Sequence, residues 1–132
     1  RALKARWPQH VAPGAVVLAG LGQGARLATA LSAQEPSFFS RLVLDGHGLS
    51  DWTSSYATIF QRRGGERVLI VCGDEACTSS AQRTKLWMQG AALEAKVVTY
   101  PAGWTESLSS AWAWLVDGDP RWAARRPSAA HP

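Results

Sequence analysis

The chain has 132 residues, 46% of them hydrophobic and 18% charged. That length is one domain's, and the apolar share supports a core and excludes wholesale disorder. The formal net charge is +4, but the basic residues are scattered (Arg1, Lys4 and Arg6; Arg62 and Arg63; Arg121, Arg125 and Arg126), with no dense run and no stacking motif, so no specific nucleic-acid partner is expected.

The longest apolar runs are far too short for a membrane span. The chain begins at Arg1 rather than Met, and the expectation is a processed or excised piece whose targeting signals lie out of view. Cys72 and Cys77 stand close in sequence without a His pair at metal-ligand spacing. The reading therefore assigns no metal and no cofactor. Two free thiols and a short local disulfide are both open; free thiols are favoured because Cys72 ends an apolar run and free Cys is often buried. Seven Trp are read as packing residues.

In chain order, residues 1–9 read as the end of a helix, with Leu3 and Trp7 on one face and Pro8 and Pro13-Gly14 as breakers. Ala15–Ala19 is a continuous apolar run, as in a strand buried on both faces. A helix opens near Gly24, with small Ala25 and Ala28 beside Leu27 and Leu31, and Glu35-Pro36-Ser37 ends it. Arg41 to Gly46 is the second strand. Asp51 is the expected N-cap of a helix that uses Trp52, Tyr56 and Ile59, and Gly64-Gly65 stops it. Arg67 to Gly73 is the third strand. Ser79 or Ser80 is expected to cap the next helix, with Leu86, Gly90 and Leu93 on one face. Lys96 to Pro101 is the fourth strand. Thr105 is expected to cap a last helix with Leu108, Trp112 and Leu115 inward, ended by Gly118. Residues 1–122 make one domain, and 123–132 have the composition of a disordered basic tail. The alternation predicts an α/β fold: a parallel sheet of about four strands with helices on both faces.

The strand-turn-helix at Gly20-Leu21-Gly22-Gln23-Gly24-Ala25 can be read two ways. As Gly20-x-Gly22-x-x-Ala25 it fits a dinucleotide fingerprint, with Asp45 about 20 residues on, where an acid would bind a ribose hydroxyl. Gly20, Gly22, Gln23, Gly24 and Asp45 are then the ligand-binding candidates. As Gly20-x-Gly22-x-Gly24 it fits the nucleophile elbow G-x-S-x-G with glycine in place of serine.

The surrounding segments favour the second reading. Val17 to Ala25 resembles the elbow of the α/β-hydrolase superfamily, in particular its carboxylesterase and acyl-protein thioesterase branch. Leu42 to Gly48, Val68 to Ala76 and Val97 to Trp104 resemble the next strand, the strand and loop that deliver the triad acid, and the strand and turn that end in the triad histidine. The resemblance covers about residues 1–118 and corresponds to the C-terminal half of that fold. It implies a triad at positions 22, 76 and 104. These hold Gly22, Ala76 and Trp104, none of which can act as nucleophile, acid or base. Half of the oxyanion hole would also come from earlier strands that this chain lacks.

The expectation is a degenerate, non-catalytic α/β-hydrolase-like domain with a binding or structural role. One alternative is an esterase-like hydrolase, completed by another segment or using Asp45, His47 and Asp74 as relocated residues. The bland reading of that set has Asp45 and Asp74 capping loops and His47 exposed. A second alternative is a nucleotide-binding module. The half-fold also places Ala15–Ala19 at a sheet edge. That edge is expected to be covered by a missing N-terminal segment, a partner chain or a second copy.

Overall fold

Four strands form one sheet: β1 (Val17–Gly20), β2 (Arg41–Asp45), β3 (Arg67–Cys72) and β4 (Glu94–Thr99). They are all parallel and lie in the order β1-β2-β3-β4. Between and after them run α1 (Gln23–Gln34), a 3-10 turn (Gly46–Gly48), α2 (Ser54–Arg62), α3 (Glu75–Gly90) and α4 (Trp104–Val116). The computed structural model describes residue 6 and residues 16–99 and 104–119, with the backbone alone for 104–108. The expected first helix (beyond Arg6), Ala15, the 100–103 turn, the side chain of Leu108 and the 123–132 tail fall outside the described residues.

The strands form as their apolar runs require. Leu42 pairs with Val68 and Leu44 with Ile70 in register, and all four are fully buried. They share a core with residues of α1, α2 and α3 on one face of the sheet. Leu69 and Val98 point to the other face, where they pack with Ala111 and Leu115 of α4. Alternation along a strand thus puts helices on both faces, as expected.

Helix faces follow the sequence reading in part: Trp52, Leu93 and Leu115 are buried as expected, while Leu27, Leu31, Ile59, Leu86 and Trp112 are exposed. In α1 the buried residues are Ala25, Ala28, Thr29 and Ser32, while Leu27 is 63% exposed and Leu31 is also exposed. The cause is close approach. A Cβ on Gly48 of the 3-10 turn would strike Ala25 Cβ, and one on Gly20 of β1 would strike the Gly24 carbonyl and Ala25 Cα, so the start of α1 has room there for small side chains only. The buried hydroxyls are satisfied. Thr29 Oγ1 donates to the Ala25 carbonyl and accepts from Trp52 Nε1, both at 2.9 Å.

In α2 the cap is Thr53 rather than Asp51: its side chain accepts the Tyr56 N–H at 3.1 Å. Trp52 lies before the helix and is buried with Ala57 and Phe60, whereas Ile59 is 56% exposed. Gly64, at φ 115°, ends the helix as read. In α3 the cap is Asp74 rather than Ser79 or Ser80. The buried seam is Cys77, Ala81, Thr84 and Met88, spaced 4, 3 and 4 residues apart, and Leu86 is 66% exposed. In α4 the helix begins at Trp104, before Thr105. Ala111 and Leu115 point inward and Trp112 is exposed. Gly118, at φ 73°, follows the helix end in the left-handed conformation that suits glycine.

Candidate functional site

The C-terminal ends of β1, β2 and β3 carry the residues in question, where open α/β sheets gather ligands. After β1 the chain turns sharply into α1. Gly22 sits at the tip with φ 57° and ψ −128°, a conformation that L side chains rarely adopt. Gly20 is equally constrained, because a Cβ there would run into the carbonyl of Gly24 and the Cα of Ala25. By contrast, nothing lies within 4 Å of a Cβ built on Gly22 or Gly24. The tip is therefore open in space, in a backbone conformation that glycine takes freely and an L side chain would take only under strain.

Asp45, the last residue of β2, ties this tip to the next turn. Its Oδ2 accepts the N–H of Gly22 at 3.0 Å and its Oδ1 accepts the N–H of His47 at 3.0 Å. Burial pushes its carboxyl upward, but the hydrogen bonds from the His47 and Gly22 N–H groups and the neighbouring His47 ring outweigh it and hold the group below its ordinary 3.8. Asp74 follows β3 and caps α3, its Oδ1 accepting the Cys77 N–H at 2.7 Å. Its other oxygen lies 3.7 Å from His47 Nε2, and His47 is exposed. Asp45, His47 and Asp74 are therefore brought together. Both acids also make the local capping bonds of the bland reading.

The remaining candidates are placed less favourably. Ala76 is exposed in the first turn of α3 and offers only a methyl group. Trp104 is the first residue of α4, and its side chain falls outside the described residues. Gln23 is exposed and lines a separate depression with Arg26, Leu27 and Asp51. Among the serines, Ser54 and Ser55 open α2 and are exposed, and Ser79 and Ser80 lie within α3, also exposed.

Cys72 and Cys77 form a disulfide, with Cα atoms 5.5 Å apart. This corrects the expectation of two free thiols. The end of β3 and the first turn of α3 fold back on each other, which brings the two Cα atoms within the range a disulfide spans. Both sulfurs press on Gly46, where any side chain would collide with them. Next to the disulfide lies a cavity of about 560 Å³ between the 3-10 turn, α2 and α3, bordered by His47, Trp52, Cys77, Arg83 and Trp87. The sequence reading did not single out Arg83 or Trp87. Their signal was their spacing of four on one helix, which puts both on one face.

Comparison with known proteins adds no relative: no family model, curated protein or solved structure matches the chain.

Proposed function

We propose that the chain is a non-catalytic α/β-hydrolase-like domain with a binding or structural role. The observation that carries this reading is Gly22. The turn has the sharp strand-to-helix geometry, with positive φ at its tip, that an elbow needs to present a nucleophile. Yet the residue at its tip has no side chain, and its N–H is held by the Asp45 carboxylate. Ala76 at the acid position supplies no charge to orient a histidine. The cavity beside it, with Trp52 and Trp87 as apolar walls and Arg83 as a polar group, suits the binding of a small molecule. An organophosphonate probe that labels activated serines is expected to leave no covalent adduct on the intact protein. An adduct that persists on a single serine and vanishes in His47→Ala contradicts the reading.

The esterase alternative draws on the gathering of Asp45, His47 and Asp74. At that cluster the Cys77 sulfur is bonded to Cys72 and is no thiol nucleophile in the oxidised chain. The nucleotide alternative draws on the glycine turn. There the Asp45 carboxylate already accepts the Gly22 N–H, so a pyrophosphate would meet a like charge at the helix N-terminus.

The same reading has the outer edge of β1 covered by a missing N-terminal segment, a partner chain or a second copy. Among the described residues no strand pairs with that edge. Val16, Leu21, Leu27 and Leu31, on and around β1 and α1, are exposed. Light scattering on the purified chain is expected to show species above the monomer mass. A stable, soluble monomer with the edge accessible to exchange counts against it.

A further inference from the structure

The sulfur of Cys77, a ring nitrogen of His47 and a carboxylate oxygen of Asp45 all lie within 4.8 Å of one another. They come from three short segments that the sheet brings together: the end of β2, the 3-10 turn and the first turn of α3. Thiolate, imidazole and carboxylate are the ligand types that zinc takes together. In the oxidised chain the Cys77 sulfur is committed to Cys72 and cannot ligate.

We propose that reduction of the Cys72–Cys77 disulfide turns this cluster into a divalent-metal site, held by Cys77 Sγ, His47 and Asp45 and best matched by zinc. Bond lengths of about 2.0–2.3 Å require the three atoms to draw in by roughly 1 Å. That movement is available because His47 is exposed on a short turn. Asp45 keeps lone pairs for a metal, since each of its oxygens accepts one N–H. Asp74, 3.7 Å from His47 Nε2, is placed to orient the ring as an outer carboxylate. Water takes the fourth position from the adjoining cavity, which Cys77 and His47 both border.

The redox step needs an external two-electron reductant, for which a dithiol serves. One of its thiolates attacks the disulfide, the Cys72–Cys77 bond breaks, the two cysteine sulfurs take up two protons, and the dithiol closes to its own disulfide. Zinc then displaces the proton of the Cys77 thiol to solvent. The proposal rests on this geometry and stands apart from the hydrolase-like reading.

The test is zinc titration against a competing chelator, with cobalt as a second probe for its thiolate charge-transfer absorption. Wild type is measured oxidised, and again after reduction by a phosphine that is then removed. Reduced wild type is expected to bind one zinc. Cys72→Ser, which leaves Cys77 free, is expected to bind it without any reductant. Oxidised wild type and Cys77→Ser are expected to bind at least about tenfold more weakly, as are reduced His47→Ala and Asp45→Ala. Circular dichroism establishes that each variant is folded, and if Cys72→Ser is not, reduced wild type decides. Equal affinity in the oxidised and reduced wild type overturns the proposal. So does a folded Cys72→Ser that binds no better than the oxidised chain, or unchanged binding in both His47→Ala and Asp45→Ala.

Discussion

Replacing Arg41 with alanine is expected to lower the unfolding free energy by about 3 kcal/mol, measured by urea denaturation. Arg41 opens β2 and is 7% exposed. Its Nη1 donates to the carbonyls of Leu115 at 2.7 Å and Asp117 at 2.8 Å, and its Nε donates to Glu66 Oε2 at 2.9 Å. Arg67, its register partner on β3, donates to the carbonyls of Trp114 and Asp117. The two guanidinium groups thus hold the C-terminal end of α4 against the sheet, where the helix dipole favours positive charge. Alanine removes buried side-chain volume and takes the guanidinium donor from the Leu115 carbonyl in the last turn of α4, while the Asp117 carbonyl keeps its bond from Arg67. The loss is not one of ion pairing, because Glu66 is half exposed and such a pair contributes under about 1 kcal/mol. Glu66→Gln is accordingly expected to change stability little. A stability for Arg41→Ala within about 0.5 kcal/mol of wild type, the range of an ordinary surface substitution, would sink this account of how α4 is anchored.

Gly20→Ala is the second large effect, with an expected cost of about 3 kcal/mol or more. The added methyl meets the Gly24 carbonyl and the Ala25 Cα, and both belong to backbone in the first turn of α1. A flexible side chain would move aside; a helix turn hydrogen-bonded from Gly24 N to the Leu21 carbonyl at 2.9 Å must shift as a unit. Any such shift also disturbs Gly22 and its bond to Asp45. Gly90→Ala is the control, because a Cβ there meets nothing within 4 Å. It is expected to be neutral or to stabilise by a few tenths of a kcal/mol through the unfolded chain. Equal thermal stability of the two variants would show that the β1–α1 turn is looser than its contacts imply.

The strands and their order of appearance were legible because buried parallel strands announce themselves as short apolar runs. Val68 to Cys72 is the plainest, with all five residues buried. Helix faces were harder. The seam of α3 runs through Cys77, Ala81, Thr84 and Met88, of which Ala81 is small and Thr84 polar. Leu86 is more apolar than either, and a reading that follows the large apolar side chains is led to the wrong face. The start of α3 was missed for a related reason: attention to serine caps passed over Asp74 followed by Glu75, an acidic pair that suits a helix N-terminus. In α1 tight packing reversed the ordinary rule, because the glycines of neighbouring turns leave room for alanine but not for leucine.

The site was legible in part. Asp45, His47 and Asp74 follow strand ends, so their meeting at one side of the sheet was predictable from topology. The disulfide was not. Cys72 and Cys77 lie five positions apart, a separation that fits free or bonded sulfurs equally well. Only the reversal of direction between β3 and α3 sets their distance. The cavity was hidden for the same reason, since its walls come from the 3-10 turn, α2 and α3, whose approach no local pattern encodes.

What this leaves of the glycine turn is a sharp tip without a side chain, flanked by acids already engaged with backbone N–H groups. The most direct measurement is the hydrolysis of an activated aryl ester by the purified chain, with Asp45→Ala and His47→Ala measured beside it. The account predicts a rate equal to that of buffer for all three proteins. Turnover by the wild-type chain that is abolished in His47→Ala would contradict it.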